Sequence, residues 1–493
     1  MKYEVLVIGS GPAGFETAQR VARAGKSTVL ITTTPPGGRT TVGSLLPSKG
    51  WLHAAHHRVP SEQGGRLTPE QTASTAEQLR AGIAARVAWT HKELETAGVT
   101  VLSGTAELLR PGHVQFTPAE NPPVTSGGAP TLEQDIEADH IVLATGSEPT
   151  FTPNVKPDGK LVIAPRHTKM LADIPESLIM VGGGITGVEY AEAFARLGTQ
   201  VTLLSSREIL PRFDREYVGL LQSHLEDCGV SLFAGSRVTS VDVAADQSSA
   251  RSVTAHTEDG SAHTASMAFI ATGRAADLGF VGLGEEERGT LLDPTGTFIQ
   301  TDTTGRTRLP GVYACGDAAG PPFTANHALH QARRVAAAIT GLPVPTAGAA
   351  NAAGGASAVA NAAGGASAAA NAIPPLIEAI YTDPQLVQIG TVVPSSGLPV
   401  DITEHRRSWN NSMLSFLPTA ARVGGAVADR GELKVQLDSG GLILGAVAIG
   451  PSAAEVLAPL QLAMQHGLSW DALTAEPFGY PTWSEVLTGS EAS

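Results

Sequence analysis

A chain of 493 residues is long enough for about three domains, and its 42% hydrophobic and 16% charged composition is that of a globular enzyme. The formal net charge of −14 argues against nucleic acid or an anionic membrane as main partner, because both demand clustered positive charge. No apolar run reaches the roughly 18 residues of a membrane span, and the two cysteines, Cys228 and Cys315, are too far apart in sequence for a CxxC or metal pattern.

Residues 1–9 read as a buried strand entering a turn. A signal peptide would need a longer apolar run, and this one breaks at Gly9; a cytoplasmic protein is expected. The strand covers 5–8, the turn is Gly9-Ser10-Gly11-Pro12-Ala13-Gly14, a helix follows over 15–24 with Gly25 closing it, and a second strand covers 27–31. In this context the glycines form a dinucleotide fingerprint. They permit the tight turn and the close approach of a pyrophosphate to a helix N-terminus, where free N–H groups and the dipole favour an anion. The acidic residue that usually follows the second strand and bonds the adenosine ribose is replaced by Thr32-Thr33-Thr34, whose hydroxyls offer a weaker bond.

Positions 37–49 read Gly-Gly-Arg-Thr-Thr-Val-Gly-Ser-Leu-Leu-Pro-Ser-Lys. His53, His56 and His57 follow on a predicted helix. The i, i+4 spacing of His53 and His57 permits metal binding, but no nearby Glu or Cys completes a ligand set. Three solvated histidines and no metal are expected. Cys228 and Cys315 are read as small buried hydrophobes.

A second strand–turn–helix unit covers 178–181, Gly182-Gly183-Gly184-Ile185-Thr186-Gly187 and 188–197, with its next strand over 200–204. An intact second fingerprint implies a second dinucleotide. Ser205-Ser206-Arg207 stand where an acidic residue would bind the 2′-hydroxyl of NAD. Arginine beside serine hydroxyls suits a 2′-phosphate instead, so NADP(H) is expected over NAD(H). Residues 141–146 and 269–274 are similar strand-to-glycine segments. Residues 346–372 are low in complexity and contain two near-identical decapeptides, 351–360 and 361–370, which read as a linker or surface insertion. A strand over 442–449 and an amphipathic helix over 453–466 follow.

These motifs resemble those of the pyridine nucleotide-disulfide oxidoreductases, the family of lipoamide dehydrogenase, glutathione reductase and mercuric reductase. Segment 37–49 resembles the family's Gly-Gly-Thr-Cys-x-x-x-Gly-Cys-x-Pro-Ser-Lys, with Thr40 and Leu45 in the two cysteine positions. Residues 311–317 resemble the second FAD motif, in which the aspartate, here Asp317, bonds the ribityl chain. Residues 478–485 resemble the family's His-Pro-Thr-x-x-Glu signature, with Tyr480 replacing the acid/base histidine and Glu485 kept.

The resemblance implies an α/β fold with two Rossmann-like domains and a C-terminal α+β dimerisation domain. The FAD domain would comprise 1–150 and 273–345, the NAD(P) domain 151–272 and the interface domain 373–493. Implied cofactor contacts are Gly9, Gly11, Pro12, Ala13, Gly14, Thr32, Thr33, Gly38, Arg39, Thr40, Lys49, Ala106, Thr145, Gly146, Gly316 and Asp317 for FAD. For the nicotinamide cofactor they are Gly182, Gly184, Gly187, Ser205, Ser206, Arg207 and Gly273. Arg39 is also read as a candidate for an anionic substrate.

In the family the lysine of Pro-Ser-Lys sits beside the flavin and pairs with a glutamate just past the second fingerprint, which implies catalytic roles for Lys49 and Glu189. Burying an ammonium is costly unless it is paired. Tyr480 and Glu485 are the implied residues that reach a partner subunit's active site in a homodimer. With Thr40 and Leu45 in place of a dithiol, the expected activity is that of an FAD-dependent NAD(P)H oxidoreductase. Such an enzyme passes electrons directly to a small acceptor such as a quinone. Soluble nicotinamide nucleotide transhydrogenase activity and a non-catalytic flavoprotein redox sensor or assembly partner are the alternatives.

Overall fold

The computed structural model describes residues 1–57, 65–120, 134–152, 154–245, 251–343, 375–416, 431–475 and 477–489. The low-complexity stretch 346–372, read above as a linker or insertion, lies outside the described residues.

The fold is mixed α/β. Strand β1 (Lys2–Ile8) runs into helix α1 (Pro12–Arg23), and β2 (Thr28–Thr32) returns parallel to β1 with Val5 opposite Thr28 and Ile8 opposite Ile31. Two short helices follow, α2 (Gly38–Val42) and α3 (Leu45–His56), then the long α4 (Pro69–Thr96). Thr68 and Gln71 form a capping box at its start, satisfying two backbone donors that a helix N-terminus leaves open. Strand β3 (Val99–Arg110) pairs parallel with β2, then turns back antiparallel as β4 (His113–Pro118). Strand β5 (Gln134–Leu143) completes the turnback, pairs parallel with β1 and takes Val312–Ala314 on its other edge. Val5, Leu6 and Val7 are fully buried because both faces of this mixed sheet are covered: Val5 and Val7 pack against helices, and Leu6 on the other face packs with Val114 and Phe116 of β4 and with Phe280 and Ile299.

The second unit repeats the design. Its parallel sheet has the order 230–234, 200–205, 177–181, 267–270, 162–163. Helix α5 (Ile185–Arg196) follows the central strand, and α6 (Arg215–Asp227) precedes the edge strand. Antiparallel strands 147–149 and 274–276 join the two units where the chain crosses between them. Strands 378–380, 385–390, 443–450, 432–437 and 403–408, in that order, form a five-stranded antiparallel sheet covered by the helix Ala453–His466.

Helix and strand boundaries follow the sequence reading closely. The predicted helix over 15–24 is observed at Pro12–Arg23, three residues earlier, because proline at the first helical position is compatible with the free N-terminal turn. One hydrophobic cluster combines Trp51 and Leu52 of α3, Val188 and Phe194 of α5, and Ile380, Leu386 and Val447 of the C-terminal sheet. This shared core brings three sequence-distant parts of the chain to one place. No helix among the described residues is long and apolar enough to cross a membrane.

Candidate functional site

The two glycine turns have the same local geometry. Gly9 has φ +105°, and a Cβ there would meet the Ala144 carbonyl at 2.2 Å; a Cβ on Gly14 would meet the Gly9 carbonyl at 1.9 Å. In the second turn Gly182 has φ +123° and would meet the Ala271 carbonyl at 2.3 Å, while Gly187 would meet the Gly182 carbonyl at 1.8 Å. The middle glycines differ: neither Gly11 nor Gly184 has a heavy atom within 4 Å of its would-be Cβ. The outer glycines are thus needed for packing of strand against helix, and the middle ones leave open space before a helix N-terminus. Gly11 and Gly184 are the N-caps of α1 and α5, and neither helix has a side-chain cap. The N–H groups remain for an anion, which is the requirement of a dinucleotide pyrophosphate. The residues present fit two dinucleotides. Pro12 is at the first position of α1, and Ala13 is buried beneath the turn.

Around the first turn, Gly38 packs on Gly11, where a Cβ would come within 2.8 Å of the Gly11 Cα. Thr32 is buried, and its hydroxyl is engaged by Ser10 Oγ at 2.7 Å and the Thr34 carbonyl at 2.8 Å. It has no spare donor for a ribose. Of the expected pair only Thr33, exposed at the strand end, has a free approach. Ala106 is buried in β3 opposite Phe116, within the hydrophobic core.

The crossing segments are tied together: Thr145 Oγ1 donates to the Asp277 carbonyl at 2.8 Å, Asp277 N–H to the Gly146 carbonyl at 2.9 Å, and Thr150 N–H to the Gly273 carbonyl at 3.0 Å. Asp317 accepts a short bond from Ser147 Oγ, and Arg274 Nε donates to the same hydroxyl at 2.7 Å. Gly316 N–H is held by Gln331 at 2.7 Å. Arg39 contacts the Ser147 carbonyl and the Glu148 and Asp277 carboxylates, the last at 3.0 Å. Its guanidinium is committed to acidic partners, so the expected role in binding an anionic substrate would require giving these up.

Helices α2 and α3 carry the segment that resembles the family's active site. Thr40 is half-buried in α2 and Leu45, at the start of α3, is 41% exposed. One turn on, Lys49 Nζ lies 2.6 Å from both oxygens of Glu189, whose side chain is 3% exposed against 27% for Lys49. Tyr381 completes the group, with its ring centroid 4.3 Å from the ammonium and its N–H donating to Glu189 Oε1 at 2.9 Å. Burial, with the Glu189 carboxylate beside it, pushes the Tyr381 phenol up. No sequence motif singled out Tyr381.

A second cluster lies farther along the same helices. Glu192 is fully buried; it accepts the Asp383 N–H at 3.0 Å, is hydrogen-bonded to His56 Nε2 at 2.9 Å and His224 Nε2 at 3.4 Å, and is ion-paired with Arg196, whose Nε lies 2.8 Å away. Burial opposes its charge, but these donors win and hold its carboxyl well below the usual range. The expectation of three solvated histidines therefore fails for His56, which faces α5, while His53 and His57 are exposed. Among the described residues no group of three or more His, Cys, Asp or Glu is placed to hold a metal. Cys315 is buried as expected, and burial raises its thiol to about 12. Cys228 is only half-buried, because it caps the end of α6 with Sγ 3.5 Å from His224 Nε2.

Ser205 is buried under the second turn, where a Cβ on Gly183 would meet its Oγ at 2.4 Å. Ser206 and Arg207 are exposed just beyond the strand end. Tyr480 is 67% exposed. Glu485 has both oxygens engaged within its own chain, accepting from Thr482 N at 2.8 Å, Met413 N at 3.1 Å and Ser412 Oγ at 3.3 Å. It caps the short helix 483–487, so a catalytic role would compete with these bonds.

The pyridine nucleotide-disulphide oxidoreductase model matches residues 3–332, and the dimerisation-domain model of the same family matches 416–490. Dihydrolipoyl dehydrogenase of Rhizobium etli is 28% identical over 515 aligned positions, covering 98% of this chain and 96% of that protein. An NAD(P)H dehydrogenase (quinone) of Mycobacterium tuberculosis is 27% identical over 503, covering 99% and 93%. The crystal structure of LpdA from Mycobacterium tuberculosis superposes with a TM-score of 0.80 at 24% identity over 98% of each chain. The chain therefore belongs to the pyridine nucleotide-disulphide oxidoreductase family and is a flavin-dependent oxidoreductase that takes FAD and a pyridine nucleotide.

Proposed function

We propose that this protein is a homodimeric NADPH oxidoreductase that delivers electrons directly to a small acceptor such as a quinone, with no dithiol relay. The observation that carries this reading is the conjunction of an ordered Lys49–Glu189 pair with Thr40 and Leu45 in the cysteine positions of the family segment. When bound, FAD supplies the two-electron chemistry that links nicotinamide to acceptor. Gly11 and the N-terminus of α1 hold its pyrophosphate, Thr33 serves its ribose and Asp317 its ribityl chain. The Lys49 ammonium, held in place by Glu189, would support negative charge on the reduced cofactor.

Gly184 and the N-terminus of α5 receive the nicotinamide dinucleotide, and Ser206 with Arg207 meets a 2′-phosphate. Tyr480 offers a phenolic donor to a carbonyl acceptor across the dimer. The FAD domain is assigned to 1–150 and 273–345, the nucleotide domain to 151–272 and the interface domain to 373–493, with the protein in the cytoplasm. The quinone reading is favoured by the Mycobacterium tuberculosis relative whose name specifies that activity. The relatives named above are dehydrogenases, which weighs against a non-catalytic sensor.

The test is an anaerobic stopped-flow experiment that mixes FAD-loaded protein with NADPH and then with a quinone, following flavin absorbance. Rapid bleaching and rapid recovery support the proposal. Recovery that is fast only with an NAD analogue replaces it with transhydrogenase activity, and absence of bleaching with either nicotinamide rules both out.

A further inference from the structure

Lys49 is confined on two sides. Both Glu189 oxygens take its N–H groups, and the face of the Tyr381 ring covers another approach at 4.3 Å from the ammonium. The three residues come from the first flavin-side helix pair, the nucleotide unit and the C-terminal part of the chain. Tyr381 is 38% exposed, but the backbone that carries the ring is anchored. Its own N–H is bonded to Glu189 Oε1 at 2.9 Å, the buried Thr382 hydroxyl donates to the Pro384 carbonyl at 2.7 Å, and Asp383 N–H is anchored on Glu192 at 3.0 Å. One short hydrogen-bonded segment therefore contacts the carboxylate through its backbone and places the ring against the cation.

We propose that Tyr381 is a positioning residue for Lys49: its ring face, not its hydroxyl, keeps the ammonium on the Glu189 carboxylate and so fixes the positive charge that the flavin experiences. The proposal rests on the reading above that Lys49 serves the flavin. A cation within about 6 Å of a ring centroid is held by the ring's negative face, more strongly as water is removed. Lysine has a long, flexible stem, and with 27% of its side chain exposed it has room to swing toward solvent once that face is gone. A charge that spends less time at its post supports the reduced flavin less well, so the reduction potential falls and hydride uptake slows.

The experiment compares Tyr381→Phe, Tyr381→Leu and Lys49→Met in FAD-loaded protein, reading the flavin midpoint potential, the FAD dissociation constant, Tm and the rate of flavin bleaching by NADPH. Y381F is expected to match the parent protein in potential and to stay within about twofold in rate. Y381L is expected to lower the potential in the same direction as K49M and to slow bleaching about three- to thirtyfold, with FAD affinity and Tm retained. A Y381L protein with unchanged potential overturns the proposal, and so does a Y381F protein as impaired as Y381L. An unchanged potential in K49M instead overturns the underlying placement of Lys49 at the flavin. Should Y381L not fold, Tyr381→Met removes the ring at similar bulk and carries the same expectation.

Discussion

Glu189 and Glu192 stand one helical turn apart on α5, and their carboxylates accept the backbone N–H groups of Tyr381 and Asp383, two residues of one short segment. The same two carboxylates face α3, where Lys49 and His56, two turns apart on one helix face, meet them in register at 2.6 and 2.9 Å. One face of α5 thus fixes the cation of the candidate site and docks the C-terminal part of the chain beside it. Movement of that segment would be felt at Lys49, which connects assembly of the C-terminal unit to the electrostatics of the site.

The glycine geometry separates binding from folding. Gly11 has φ −66°, open to any residue, and empty space beyond its would-be Cβ. Gly11→Ala is expected to leave the Tm of the flavin-free protein nearly unchanged while weakening FAD at least tenfold, since the methyl occupies the approach of the pyrophosphate. Gly14→Ala meets the Gly9 carbonyl and is expected to lower Tm without added FAD. Thermal melts with and without FAD check both.

Arg207 is exposed beyond the strand end, so its replacement should not disturb the fold. Arg207→Ala is expected to reduce kcat/KM for NADPH roughly ten- to a hundredfold, chiefly through KM, and to leave NADH nearly unaffected, because only the 2′-phosphate needs the guanidinium. Equal loss with both nucleotides would remove Arg207 from cofactor discrimination.

Lys434 is fully buried and ties the C-terminal sheet to the start of α6, with Nζ 2.9 Å from Asp214 and 3.1 Å from Glu216. Removing the ammonium leaves the 4%-exposed Asp214 carboxylate without its cation. Lys434→Met is expected to destabilise by about 3 kcal/mol and to lower Tm by several degrees, with little relief from salt. Asp214→Asn in the same chain should recover part of the loss, which a double-mutant cycle of thermal melts measures.

His224 gives stability a pH dependence. Burial opposes its charge, but the bonds to Cys228 and Glu192 outweigh it and hold its pKa at about 9, above the ordinary value of 6.5. A raised folded-state pKa contributes stability in full below about 6.5, and that contribution is lost as pH rises through about 9. The loss is on the order of 3 kcal/mol, and the lowering of Glu192 is the other side of the same interaction. Tm should fall between these two pH values, and His224→Gln should flatten that part of the profile.

The sequence by itself determined the two glycine turns and their flanking strands and helices, while the pairing of Lys49 with Glu189 was implied only by the family resemblance. The turns and their flanking elements depend on local chemistry: glycine where φ is positive or a Cβ would strike a carbonyl, apolar runs where a strand is covered on both faces, and short-range spacing within a motif. The helix Ala453–His466 was readable residue for residue for the same reason. What the sequence could not show was which groups would be brought together. Thr32 looked available to a ribose until Ser10 and the Thr34 carbonyl were seen to occupy its hydroxyl. His56 looked solvated until α5 placed Glu192 against it, and nothing in the motif around Glu485 showed that its oxygens cap backbone N–H groups. Tyr381 lies 192 residues from Glu189 and carries no motif. Its place beside Lys49 was decided by the packing of α3, α5 and the C-terminal sheet into one hydrophobic cluster, because burial is a property of the assembled surfaces and not of spacing along the chain.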